Sequence, residues 1–158
     1  METSLIGKAL DFGSNEYGFD PRVSNIRYNS YAYVINHLNL AISRKQLRVK
    51  IKHTKKTLEL VKVLHRIGYL NNFSVVVTHD KTSYIYMSPS FFKNTPFFKS
   101  LRLVSTPSKK HFTTLKALNV INKTVNSSVL IMSTSYGILD HKEAIKIRTG
   151  GTILCIAS

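Results

Sequence analysis

The stretch from Val129 to Gly137 constrains this chain more than any other. Four apolar residues, Val129-Leu130-Ile131-Met132, run straight into Ser133-Thr134-Ser135-Tyr136-Gly137. A short unbroken apolar run suits a strand covered on both faces. The hydroxyls and glycine behind it read as a polar loop, since glycine opens backbone angles closed to other residues and hydroxyls hydrogen-bond locally. Leu139-Asp140-His141-Lys142-Glu143-Ala144 then has the form of a helix start, with Asp140 as N-cap, Glu143 as its reciprocal partner and Leu139 just before the cap. Gly150-Gly151 closes that helix, and Thr152 to Ala157 is a final strand. The unit carries small polar groups and bare backbone to one edge. Such an edge either satisfies its own backbone or approaches a planar or anionic ligand.

Charge separates those alternatives. The 158 residues hold 23 Lys+Arg against 8 Asp+Glu, a formal net charge of +15. Glu2, Asp11, Glu16 and Asp20 all fall near the start, so residues 21–158 carry 22 basic and 4 acidic side chains, or +18. A field of that size opposes folding by self-repulsion unless a polyanion neutralises it. Nucleic acid is the leading partner and an anionic membrane surface the weaker one. No apolar run approaches the roughly 20 residues of a membrane span, and Met1-Glu2-Thr3-Ser4 lacks the basic start and apolar stretch of a secretory signal. One cysteine, Cys155, excludes an internal disulfide framework and, inside an apolar strand, reads as a buried inert thiol.

Upstream, residues 1–29 show no sustained period and read as an extension. Ser30 to Ser43 is an amphipathic helix whose stripe is Tyr31, Val34, Ile35, Leu38 and Ile42. Leu47-Arg48-Val49-Lys50-Ile51-Lys52 alternates strictly, which as a strand turns Leu47, Val49 and Ile51 inward and aligns Arg48, Lys50 and Lys52 outward. Three cations in line suit a phosphate backbone, although lysine also guards ordinary strand edges. Thr54 reads as the N-cap of a helix through Ile67 that buries Leu60, Val63, Leu64 and Ile67 and stops at Gly68. Lys55 and Lys56 at its start oppose the helix dipole, a cost that a bound phosphate relieves.

Phe73 to Val77 and Ser83 to Met87 read as a hairpin, the Tyr/Ile alternation of the second strand being packing. Ser88 to Ser100, with two prolines and two Phe-Phe pairs, is an irregular connection before a strand at Leu101 to Val104. Lys109-Lys110-His111-Phe112 joins cations to an aromatic, a combination that holds phosphate and stacks on a base. Thr113 to Leu118 is helix-like. The order predicts an α+β fold of two small packed modules, residues 30–104 and 105–158, behind the extension 1–29. Catalysis finds little support. The six histidines are dispersed, no glycine-rich phosphate loop exists, and Ser133 or Ser135 as a nucleophile would have no assigned base. No cofactor is expected.

These elements resemble the bacterial-type small-subunit ribosomal protein eight family, over about Ser30 to Ser158. Its signature is Ser-Thr-Ser-x-Gly, a short helix with an acidic start, Gly-Gly, an apolar triplet and Cys. Here those are Ser133-Thr134-Ser135-Tyr136-Gly137, Asp140 to Glu143, Gly150-Gly151 and Ile153-Leu154-Cys155. Weaker matches are Val63-Leu64 through Gly68-Tyr69-Leu70, similar to the family's helix ending in Gly-Phe-Ile, and Ser105-Thr106-Pro107 in place of Ser-Arg-Pro. The resemblance implies a non-enzymatic two-module protein that binds the central domain of small-subunit rRNA, nucleates local assembly and touches neighbouring small-subunit proteins. It implies that Ser133, Thr134, Ser135, Gly137, Gly150 and Gly151 press on an irregular RNA helix, while a second RNA segment meets the region of Thr54 and Lys55. Tyr136 departs from a usual cation, Thr152 from Glu, Lys52 from Pro, and Phe112 from Tyr. With 14 Ile, 16 Lys and 11 Asn but 6 Ala and no Trp, the composition fits an AT-rich genome. The expected setting is a mitochondrial ribosome, with a plastid or bacterial ribosome as the alternative. A non-specific basic adaptor for RNA or membrane surfaces is the competing function.

Overall fold

The computed structural model describes residues 30–79, 82–93, 95–124 and 128–158. The extension 1–29, and with it four of the eight carboxylates, lies outside them.

Helix α1 (Ser30–Ser43) buries Val34, Ile35, Leu38, Ala41 and Ile42, while Tyr31 is only half-buried. Lys45 ends it in a left-handed conformation (φ 53°), with its amide and that of Gln46 donating to Ile42 and Ala41 carbonyls. That turn takes up Gln46 and Leu47. Strand β1 (Val49–Lys52) therefore begins two residues later than the alternation predicts, and Leu47, expected inward, is 72% exposed. The register Val49 to Met87 would set Leu47 against Pro89, which has no amide hydrogen to extend the ladder. Helix α2 (Lys55–Ile67) starts at Thr54, whose hydroxyl accepts from the Thr57 amide while the Thr57 hydroxyl accepts from the Thr54 amide. Thr57 is buried in consequence, Gly68 (φ 88°) stops the helix, and Ile67, expected inside, is half-buried.

Strands β2 (Leu70–Val77) and β3 (Ser83–Pro89) pair as the predicted hairpin and form an antiparallel sheet ordered β1-β3-β2. In the stretch expected to be irregular, β4 (Phe91–Phe92) and β5 (Thr95–Pro96) make a small hairpin, and Phe98 stacks on Tyr69 at 5.1 Å. Next come β6 (Leu101–Leu103), β7 (His111–Thr113), α3 (Leu115–Thr124), β8 (Val129–Thr134), β9 (Gly137–Asp140), α4 (His141–Lys146) and β10 (Gly151–Ala157). Helix α3 starts two residues after the expected Thr113, which is held in the β7–β10 ladder opposite Gly151, and continues to Thr124.

The second sheet runs β6-β10-β8-β9, with β7 also on β10. Strand β6, grouped by sequence with the first module, thus hydrogen-bonds in the second. Asn39 of α1 ties it back by bonding both the carbonyl and the amide of Leu101, at 2.8 and 2.9 Å. One core joins the two larger sheets: Val34, Leu38, Leu60, Leu64 and Ile85 share a cluster with Ile131, Ile138, Leu154 and Cys155. On the other side of β8, Met132 packs with Leu118 and Ala144. The strand is covered on both faces, as its unbroken apolar run predicts.

Two local expectations fail at α4. Asp140 caps it, accepting from the Glu143 amide at 2.9 Å, but the Glu143 carboxylate does not reciprocate and instead binds the Arg66 guanidinium at 2.7 Å. The helix closes on Arg148 (φ 58°), with the Thr149 amide bonding Ala144, and not on the double glycine. His141 is fully buried and its Nδ1 accepts from the Leu130 amide at 3.2 Å. Burial holds its pKa below the ordinary value, against Asp140 and with Lys142, which keeps the ring neutral in the core. Burial likewise pushes the Cys155 thiol up to about 12, leaving it unreactive.

Candidate nucleic-acid interface

The polar edge is the end of the β7–β10–β8 ladder. Across three strands Phe112 lies opposite Thr152, and Thr152 opposite Ser133, so the three share one face. The expected loop after β8 is a two-residue turn, Ser135-Tyr136, because Gly137 (φ 106°) lets the chain return at once as β9. Phe112 is 77% and Tyr136 70% exposed, large rings left in solvent beside a polar surface.

The hydroxyls divide into two kinds. Thr134 Oγ1 accepts from the Tyr136 amide at 3.1 Å and donates to the Gly137 carbonyl at 3.0 Å, so it closes the hairpin. Thr54 is similarly committed to its helix cap. Among the described residues the Ser133 and Ser135 hydroxyls have no partner, and both residues are accessible. The two glycines serve close approach. A Cβ on Gly150 would lie 2.6 Å from the Thr113 carbonyl oxygen, and one on Gly151 would collide with the Ser133 carbonyl. Any side chain there would wedge β7 or β8 away from β10.

A groove of about 320 Å³ links this edge to the first module. Ser133 and Thr152 line it together with Lys110, the turn Ser105-Thr106-Pro107 and Lys56 of α2. The turn is braced from inside: buried Ser105 accepts from the His111 amide at 3.0 Å, and Thr106 accepts from the Lys109 amide at 3.2 Å. Lys55, Lys109 and Lys110 are exposed. The structure therefore brings Lys110 and Ser133 into one groove and adds Lys56, Ser105 and Thr106, whose membership depends on tertiary contact that spacing does not display. Arg48, Lys50 and Lys52 lie elsewhere, at the outer surface of the first sheet, all exposed. Against these cations the described residues set Glu59, Asp140 and Glu143, the last two already engaged. Among the described residues no cluster of His, Cys, Asp or Glu has metal-binding form, and no helix is long and apolar enough to cross a membrane.

A strongly basic α+β scaffold with an exposed hydroxyl, glycine and aromatic edge is of the class that suits a polyanionic partner. The chain belongs to the ribosomal protein S8 family, whose model matches residues 30–157. It is 26% identical to the small ribosomal subunit protein uS8m of Acanthamoeba castellanii over 121 residues, 77% of this chain and 92% of that one. It is 28% identical to uS8 of Nitrosomonas europaea over 128 residues, 80% of this chain and 95% of that protein. With uS8 of Phocaeicola vulgatus the identity is 30% over 123 residues, 77% and 92% of the two chains. Membership makes the chain a structural, non-enzymatic constituent of the small ribosomal subunit.

Proposed function

We propose that this protein grips the central domain of small-subunit rRNA with the edge built from Ser133, Ser135, Tyr136, Gly137, Gly150, Gly151 and Phe112, and supports local assembly there. Phosphates lie on Lys55, Lys109 and Lys110, and Arg48, Lys50 and Lys52 meet a further segment. Thr134 and Thr54 act at one remove, by holding the hairpin and the helix start in shape. The observation that carries this reading is the groove that Lys56 and Lys110 line together with Ser133. Cations anchor a backbone, while unpartnered hydroxyls and bare peptide fit the 2′-hydroxyls and distorted base edges by which RNA helices are told apart. A mitochondrial ribosome is the setting we favour, supported by the amoebal uS8m relative and the Ile-, Lys- and Asn-rich composition. Neighbouring small-subunit proteins complete the surroundings.

The test is a Ser133→Ala/Ser135→Ala protein, which spares the hairpin bond of Thr134. Loss of two hydrogen bonds should weaken binding to a central-domain fragment about tenfold, with a much smaller change for RNA whose helical irregularity has been repaired. Equal, slight effects on both RNAs would favour a non-specific basic adaptor.

A further inference from the structure

We propose that the outer face of the β1-β3-β2 sheet is a second RNA site, which holds an unpaired strand by stacking bases on Tyr84 and Tyr86 while Arg48, Lys50 and Lys52 carry its phosphates. The proposal rests on the reading that this protein binds rRNA, and it assigns a different kind of RNA to a different surface.

The alternation of β3 sends Ile85 and Met87 into the core, so Tyr84 and Tyr86 must point the other way, to the face bearing the lysines. Their neighbours are set by the register. Lys50 lies opposite Tyr86 and Lys52 opposite Tyr84 on one flank, with Ser74 and Val76 opposite them on the other. Lys50 Nζ sits 4.1 Å from the centroid of the Tyr84 ring, the arrangement of a cation over an aromatic face. Beside Tyr86 a hollow of about 390 Å³ opens, lined by Arg48, Asn72, Ser74, Val76 and Ser88. Side chains two residues apart on a strand are separated by about 7 Å, so a base can enter the hollow against Tyr86, and one that stacks on Tyr84 displaces Lys50 from the ring toward a phosphate.

Charge and chemistry select the occupant. The three carboxylates among the described residues lie on α2, at the end of β9 and on α4, so none of those three stands on this face to repel phosphate. Half-buried tyrosine rings interleaved with exposed cations suit single strands, because every unpaired base offers a π-face. Paired RNA presents no such faces, and the hydroxyls and glycines that read helical shape are at the other site. A protein partner fits less well, since interface centres are depleted of lysine and this one is built around Lys50.

The full chain would be titrated with a fluorescent oligo-adenylate and, separately, with a folded central-domain rRNA fragment. A Tyr84→Leu/Tyr86→Leu protein should bind the oligonucleotide about tenfold more weakly and the fragment's helical site within about twofold of the parent, with Tyr84→Phe/Tyr86→Phe restoring oligonucleotide affinity. Thermal unfolding reports whether the Leu pair folds; Tyr86→Leu alone, expected to show a smaller loss, stands in for it otherwise. Unchanged oligonucleotide affinity in the Leu proteins, or no oligonucleotide binding by the parent, overturns the proposal while fragment binding stays intact. Failure of the parent to bind the fragment would instead overturn the reading of the hydroxyl edge.

Discussion

Raising monovalent salt from about 50 to about 200 mM is expected to weaken binding to a central-domain rRNA fragment about a thousandfold. The size follows from the number of cations free to meet phosphate. Lys55, Lys56, Lys109 and Lys110 are exposed around the groove, and Arg48, Lys50 and Lys52 on the first sheet. If about six of them each displace a condensed counterion, the logarithm of affinity falls with the logarithm of salt at a slope near −5. Among the described residues two of the three acids are engaged: Glu143 holds Arg66, and Asp140 caps α4. Anisotropy titrations across that salt range measure the slope directly. A slope near zero would mean that the net charge of +15 serves something other than RNA.

The second large effect concerns Gly151, and it comes from steric crowding rather than charge. Gly151→Ala should lower the melting temperature by about 5 °C and cost at least about tenfold in rRNA affinity, from roughly 1–3 kcal/mol of overpacking. The new methyl would fall on the Ser133 carbonyl and the Thr134 side chain. Relief requires β8 to move off β10, which separates Ser133 from Thr152 on the face proposed to touch RNA. Gly137→Ala offers a contrast, because space around that position is open and the penalty is only its left-handed backbone, φ 106°. If Gly151→Ala melts and binds like the parent, the edge tolerates displacement and is not a shape-reading surface.

Local chemistry made much of this legible. The N-caps Thr54 and Asp140, the stop at Gly68 and the hairpin of β2 and β3 are all written in neighbouring residues. What escaped depends on contacts distant in sequence. Glu143 has the spacing of a capping-box partner, yet Arg66, 77 residues away, offers a charged donor in its place. Gly150 and Gly151 look like a helix stop because such pairs commonly are, whereas here Arg148 supplies the left-handed turn and the glycines admit neighbouring backbone. Strand β9 was hidden because Gly137-Ile138-Leu139-Asp140 is too short to show a period. At the proposed interface, residue types point to the hydroxyl edge, but only geometry separates the unpartnered Ser133 and Ser135 from Thr134.

The most direct measurement uses Ser135→Cys in the full chain. Cys155 is buried and its thiol is pushed up to about 12, so the introduced thiol at the hairpin tip is the reactive one. Tethered to an iron chelate that generates hydroxyl radicals and assembled into small subunits, it should cut rRNA within the central domain, and in a separate sample the untethered thiol should resist maleimide in assembled subunits. A thiol at residue 135 that stays open to maleimide in assembled subunits, with no rRNA cut nearby, would contradict the account.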